Sequence, residues 1–502
     1  MSKRRILLFM LTALMILCVL FAAACKTDEP KKPDGGDENG GGEKEPEWPL
    51  DPDGTVSDEI PVLDFEEKDF ILLAPGPWSK SIIYERDEGQ TADALTNAIY
   101  NVNRDLEDRF NIKYSVVEGF STDQQARFMI NDITAYNKSF TVSAVHTTQA
   151  CASLIMADVL LPWDDVQYIN LEKPWWNQKL TQTCSIMGNN FFVAGAYNWN
   201  SYRFMECIFF NKDLAAEYNI PDLYELVRTG KWTIDAFLDM TADISRDTNN
   251  DGSWDRSDFY AIAGDQIVSI VAFKNAFDLD SITLESENTY SFNVNTPKML
   301  TALQKVNALY NENNRLCKFN LWPEVERDYL IHKFFMENHS VFMLGRVSEG
   351  EIIKDMDSLY GIIPYPKFNE AQEGYYTYTD PWGHVLAIPN YNDDLAMTGA
   401  IVEALQAEYS KKVVPEFYNN VMHNRIGQSI EDQEMLEIIA NNITYDFGVV
   451  YDGDGKGFFG MLADLVNKNS TDIASYYAEK EPVATKHFDE LFATIEDYYG
   501  AK

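Results

Sequence analysis

Residues 247–258 read Asp247-Thr-Asn249-Asn-Asp251-Gly252-Ser253-Trp-Asp255-Arg-Ser-Asp258. Oxygens at alternate positions of a tight loop converge on one point, and a hard cation such as calcium takes six to eight of them. The run fits positions 1, 3, 5, 6, 9 and 12 of the twelve-residue calcium loop, with Gly252 at the sharp turn and Ser253 giving its backbone carbonyl. The expectation is a structural calcium ion held by Asp247, Asn249, Asp251, Ser253, Asp255 and Asp258. One residue departs from the pattern: Asp258 stands where Glu is usual, and its shorter arm reaches less far. The plainer alternative is an Asx-rich turn that binds nothing, since these residues favour turns anyway.

A second group is aromatic. Trp78 follows an apolar run, Trp175 and Trp176 sit in Lys173-Pro-Trp-Trp-Asn-Gln178, and Tyr197-Asn-Trp199 precedes an apolar stretch. Tyr376, Tyr378 and Trp382 cluster between Tyr375 and Gly383. Rings beside Asn, Asp and Glu suit sugars, whose C–H faces stack while their hydroxyls hydrogen-bond. Ligand clefts combine apolar walls with a few aimed polar groups. All eight residues are expected ligand contacts, with Trp78, Trp199 and Trp382 favoured because turn signals flank them; core packing is the alternative for each.

Chemistry beyond binding leaves no mark. The six histidines form no metal-spacing cluster, and the chain has no His-Glu-x-x-His, Gly-x-Ser-x-Gly, Cys-x-x-Cys or phosphate loop. Gly455-Lys-Gly457-Phe-Phe-Gly460 matches a dinucleotide glycine fingerprint after a possible strand at 448–451, but Asp452 and Asp454 would repel a pyrophosphate. It reads as a flexible loop. Catalytic residues: none are assigned.

The elements that must position these groups are mixed. Asp69–Ala74 is a buried-strand run closed by Pro75-Gly76-Pro77; Leu95, Ala98, Ile99, Val102 and Leu106 recur at helical spacing; Ile112, Tyr114 and Val116 alternate as in a strand. Further strands are expected at 340–344, 360–364 and 384–388, and helices at 393–411 and from 461 onward. The class is α/β, with parallel pairs and helical crossovers. A hydrophobic content of 45% fills large cores, and the body from residue 60 suits two lobes. The formal charge of −38 speaks against nucleic acid or anionic headgroups as partners. Beyond Cys18 and Cys25, the four remaining cysteines (151, 184, 207 and 317) make no disulfide framework, and any pairing stays open.

The N-terminus reads as an export signal. Lys3-Arg4-Arg5, an uncharged run from Ile6 to Ala24, and Ala22-Ala-Ala24-Cys25 form a basic start, an apolar core and a small-residue site. The last four residues resemble the lipobox of bacterial lipoproteins, which implies that Cys25 is the first mature residue and carries lipid, palmitate included. An uncleaved anchor helix is the alternative. Residues 26–59, rich in Gly, Pro and charge, read as a disordered tether of roughly 30 Å.

Several stretches together resemble the extracellular solute-binding proteins of ABC importers, the large sugar-binding type found as Gram-positive lipoproteins. They are Glu206–Leu214 with Tyr218-Asn-Ile-Pro221, Lys231-Trp232-Thr233-Ile-Asp235-Ala-Phe237, the acidic loop ending in Asp258-Phe-Tyr260, Tyr360–Lys367 and Ala387-Ile388-Pro389. Their order, spread over residues 60–480, makes the resemblance global. Arg425–Glu431 departs from the family's Arg-Asp-x-Glu-Ser stretch. The resemblance implies a periplasmic-binding-protein-like fold of two α/β lobes joined by hinge strands. Its divisions are 1–24 signal peptide, 25–59 tether, 60–200 with 362–425 as lobe 1, and 201–361 with 426–502 as lobe 2. It also implies a monomer, lipid-anchored on the extracellular face of the cell membrane, that hands a carbohydrate, an oligosaccharide, to ABC permease subunits by cleft closure. The rival expectations are a secreted calcium-dependent polysaccharide hydrolase or lyase, which needs two carboxylates about 5–10 Å apart across a cleft, and an adhesion protein, which would show repeats.

Overall fold

A computed structural model describes residues 48–75, 93–118, 120–265, 267–286, 289–318, 327–381, 384–453 and 455–500. The signal segment and Cys25 lie outside the described residues, as do Trp78 and Trp382. The strands in chain order are β1 (Lys68–Leu73), β2 (Ile112–Val117), β3 (Val142–Val145), β4 (Leu160–Leu161), β5 (Glu206–Asn211), β6 (Tyr260–Gly264) and β7 (Ile282–Ser286). They continue as β8 (Thr289–Phe292), β9 (Leu316–Lys318), β10 (Ser340–Arg346), β11 (Tyr360–Ile363), β12 (Thr377–Tyr378), β13 (Val385–Pro389) and β14 (Ile443–Thr444).

Ten of these strands build two five-stranded sheets, ordered β2-β1-β3-β13-β4 and β11-β5-β10-β6-β9. In the first, β1 runs parallel to β2 and β3, while β13 enters antiparallel. In the second, β10, β6 and β9 are parallel and β5 is antiparallel. Every residue of β3, β5 and β13 is buried, as expected of strands covered by helices on both faces. The crossover helix Ala94–Phe110 buries Ile99, Val102, Leu106 and Phe110. Asp93 caps its first turn by accepting from the Thr96 N–H, and Asn111 ends it in the left-handed region at φ 49°. Thr233 caps the helix Ile234–Thr241 through the Ala236 N–H.

The chain passes between the sheets on paired segments. The outgoing stretch bridges the returning one at Val193↔Leu386 and Met205↔Thr379, both antiparallel. Asp380 donates its N–H to the Phe204 carbonyl at 3.0 Å, and Thr379 Oγ1 donates to the Ser201 carbonyl at 2.9 Å. A third passage adds β14 parallel to β12. These are two α/β lobes with hinge strands.

Three findings differ from the sequence reading. The return from the second sheet begins after residue 362, because Ile362 and Ile363 still pair with Phe209 and Ile208. The segment beyond 426 is shared: helix Ile430–Asn441 packs on β11, whereas helices Phe447–Tyr451 and Ile473–Tyr499 pack on the first-lobe helix Thr147–Met156. The stretch 448–451 is helical, with the Asp446 side chain capping it through the Gly448 N–H at 2.7 Å, so a helix and not a strand leads into the glycine run.

The end of the compositional tether is also in contact with the body. Asp51 pairs with Lys411 at 2.7 Å, Asp58 with Arg109 at 2.5 Å and Glu59 with the almost fully buried Lys173 at 2.6 Å. Opposite charges placed along the body hold this segment, and Val56 packs partly buried against the core. Cys151, Cys184, Cys207 and Cys317 are buried and unbridged. Among the described residues no helix is long and apolar enough to cross a membrane.

Candidate ligand cleft

In an open α/β sheet, ligands bind beyond the carboxyl ends of parallel strands. At that end of β3 the chain turns through His146 into helix Thr147–Met156. Thr147, the returning hinge residues Tyr378, Thr379, Asp380, Pro381 and His384, and the third passage from Thr444 to Val450 surround one cavity. The cavity holds only about 20 Å³, room for about one water. Anything larger than a water needs the lining segments to move apart.

Tyr378 is the cavity's clearest polar feature. It is buried, and its hydroxyl has no hydrogen-bond partner. Burial, reinforced by Asp380, Glu206 and Asp446, pushes its ionisation far above the usual range, so it stays an O–H. Burial likewise pushes His146 down to about 4, leaving a neutral ring edge-on to His384 at 6.2 Å.

Charged residues back the cavity. Arg346, the last residue of β10, gives Nη2 to Asp380 at 2.8 Å and stands 3.6 Å from the first residue of β5, Glu206. Burial opposes the guanidinium charge, but Asp380 and Glu206 outweigh it. Burial drives the Glu206 carboxyl well above its ordinary value despite Arg346. From the helix Val268–Ala276, Lys274 donates to Asp446 at 2.5 Å and to Ser281 at 2.6 Å, with both ionic side chains almost fully buried. Asp280 beside them is pushed up to about 6, by burial first and by Asp446 second.

Of the aromatic residues expected to touch ligand, Tyr378 alone among the described ones lines this cavity. Tyr376 is half-buried outside it. Trp175 and Trp176 donate their indole N–H groups to the two oxygens of Glu403, at 3.1 and 3.0 Å. Tyr197 shares a 2.6 Å hydrogen bond with Tyr114, and Trp199 packs on Phe417 with centroids 5.3 Å apart. These four are first-lobe and hinge packing, although Trp175 and Trp176 border a separate groove of about 200 Å³ with Tyr202 and Tyr445. Sequence reasoning missed Thr147, Glu206, Arg346, Asp380, His384 and Asp446. The signal for Glu206 and Arg346 was present: each is a charge at the end of an apolar strand.

The acidic loop closes on itself. Asp247 Oδ2 accepts from the Gly252 N–H at 2.8 Å, Asn249 Oδ1 from Asp251, Asp251 Oδ1 from Ser253 and Asp255 Oδ1 from Ser257. Gly252 takes φ 80°, where any side chain would be strained. Asp258, fully buried, spends both oxygens on the Thr248 and Asp255 N–H groups at 2.9 Å, so it braces the loop's base and is not a bidentate arm. Asp247 Oδ1 is buried with no donor. Among the described residues no group of three or more His, Cys, Asp or Glu is placed to hold a metal.

No family model matches the chain, and no curated protein matches it in sequence. Solved structures match it in shape. The sugar-binding protein MalE from Xanthomonas citri aligns over 87% of this chain and 100% of its own, at 14% identity and a TM-score of 0.56. The chain has the fold of the ABC-importer solute-binding proteins. The galacto-N-biose-/lacto-N-biose I-binding protein from Bifidobacterium longum, in complex with lacto-N-biose, aligns over 85% and 98% at 9% identity and TM-score 0.55. A solute-binding protein from Thermotoga lettingae bound with alpha-D-tagatose gives 84%, 100%, 14% and 0.53.

Proposed function

We propose that this chain is an extracellular solute-binding protein, lipid-anchored through Cys25, that captures a carbohydrate between its lobes and presents the closed form to an ABC permease. Oligosaccharides are the expected class, and the working unit is a monomer. The observation that carries the reading is the cavity at the hinge, lined by Tyr378, whose buried hydroxyl has no partner. The solved sugar-binding proteins of the same fold support it. Ligand touching both lobes favours closure by its differential affinity for the closed state. No covalent step is required.

We also infer that calcium stiffens the loop at 247–258, with Asp247, Asn249, Asp251, Ser253 and Asp255 as the ligand set and Asp258 as its brace. The donorless Asp247 Oδ1 supports this. A thermal-shift screen of the protein against oligosaccharides, with and without calcium, tests both readings, since binding to the native state alone raises the melting temperature. A shift with the sugar recovered intact supports transport, and a sugar recovered shortened makes the protein a hydrolase or lyase. A calcium shift abolished in Asp247→Ala supports the metal; no calcium shift removes it.

A further inference from the structure

The charge around the cavity is one-sided. Its described lining contains Asp380 and Asp446 and no Lys or Arg. The two cations that stand behind it are already engaged, Arg346 by Asp380 and Glu206 and Lys274 by Asp446. Further carboxylates act on the same groups: Asp265 and Glu349 on Arg346, and Asp280 beside Asp446. A buried site of this sign repels a second anion strongly, because little water intervenes to screen it. The Tyr378 hydroxyl, buried in the same lining without a partner, is a neutral group suited to a ligand hydroxyl.

We propose that the cleft selects by charge: it takes a neutral or amine-bearing carbohydrate, with one hydroxyl on Tyr378, and rejects uronates and sugar phosphates. This rests on the carbohydrate reading above and narrows its substrate class. Asp380 is the selectivity residue, because it neutralises the one guanidinium that an acidic sugar would otherwise use.

The test is isothermal titration of the full chain at pH 7.5 with neutral disaccharides (maltose, lactose, cellobiose), the glucosamine dimer, digalacturonate and glucose 1-phosphate. The expected result is binding by at least one neutral or amino sugar and at least 100-fold weaker binding of both anions. Asp380→Asn should raise digalacturonate affinity at least tenfold by freeing Arg346, and Asp380→Ser serves if that variant does not fold. Digalacturonate binding as tightly as the best neutral sugar would overturn charge selection and leave the carbohydrate reading standing. Silence across the whole panel would overturn the carbohydrate reading and this inference with it.

Discussion

Two buried polar clusters in this molecule look alike in composition and differ in what they leave unsatisfied. At Glu403, two indole N–H groups and the Asn170 amide converge on one carboxylate, and each of its oxygens is used. At the hinge, Tyr378 is also buried, yet its hydroxyl has no hydrogen-bond partner. Buried donors are ordinarily satisfied. The first cluster is therefore finished as built, and the second has hydrogen-bonding capacity that a ligand can complete. Between these two clusters the unpartnered Tyr378 hydroxyl, not the presence of aromatic rings, makes the difference.

The strongest way to break that comparison is Glu403→Ala. It strands three donors in the core, and the expected loss is about 3–5 kcal/mol in urea denaturation. A loss under about 1 kcal/mol would mean the cluster is not structural. Next in size is a pH effect. Burial pushes the Glu403 carboxyl up to about 7, against the pull of its N–H donors. The native state then holds a proton that the unfolded chain releases near its ordinary value. Its stability contribution is full below about 4.5 and falls as pH rises to about 7, by up to about 3 kcal/mol. Denaturation of wild type and Glu403→Gln across pH 4–8 should show this slope in the difference, and parallel curves would remove the shift.

Smaller still is Trp176→Phe, which keeps the ring and deletes one N–H to a carboxylate; about 2 kcal/mol of stability should go, with sugar affinity unchanged. Tyr378→Phe should do the reverse. Its hydroxyl has no native partner, so stability should move by less than about 0.5 kcal/mol, while sugar affinity falls about tenfold. If the two variants behave alike, the distinction between clusters fails.

Much of the fold could be read from local pattern. The face of helix Ala94–Phe110, the apolar strands β10, β11 and β13 and the Thr233 cap all follow from spacing and cap chemistry over a few residues. The acidic loop was legible as a tight turn with oxygens at alternate positions, though not the inward turn of Asp258 onto two backbone amides. The clusters were not legible, because their partners are remote in sequence. Trp175 meets Glu403 across 228 residues, and Asp380 meets Arg346 across 34 and two sheets' worth of topology. A Trp beside Asn reads the same whether its indole faces a sugar or a buried carboxylate. The late return of β11 was hidden for a related reason: Ile362 and Ile363 are apolar enough for either sheet, and only their register with β5 assigns them to the second.

The most direct test of the central claim, a hinge cleft that closes on a carbohydrate, is small-angle X-ray scattering of the protein with and without the tightest sugar from the screen. The account predicts a smaller radius of gyration with sugar bound, the sugar recovered intact, and loss of the compaction in Tyr378→Phe at limiting sugar. A bound sugar that leaves the scattering unchanged, or that is recovered shortened, would contradict it.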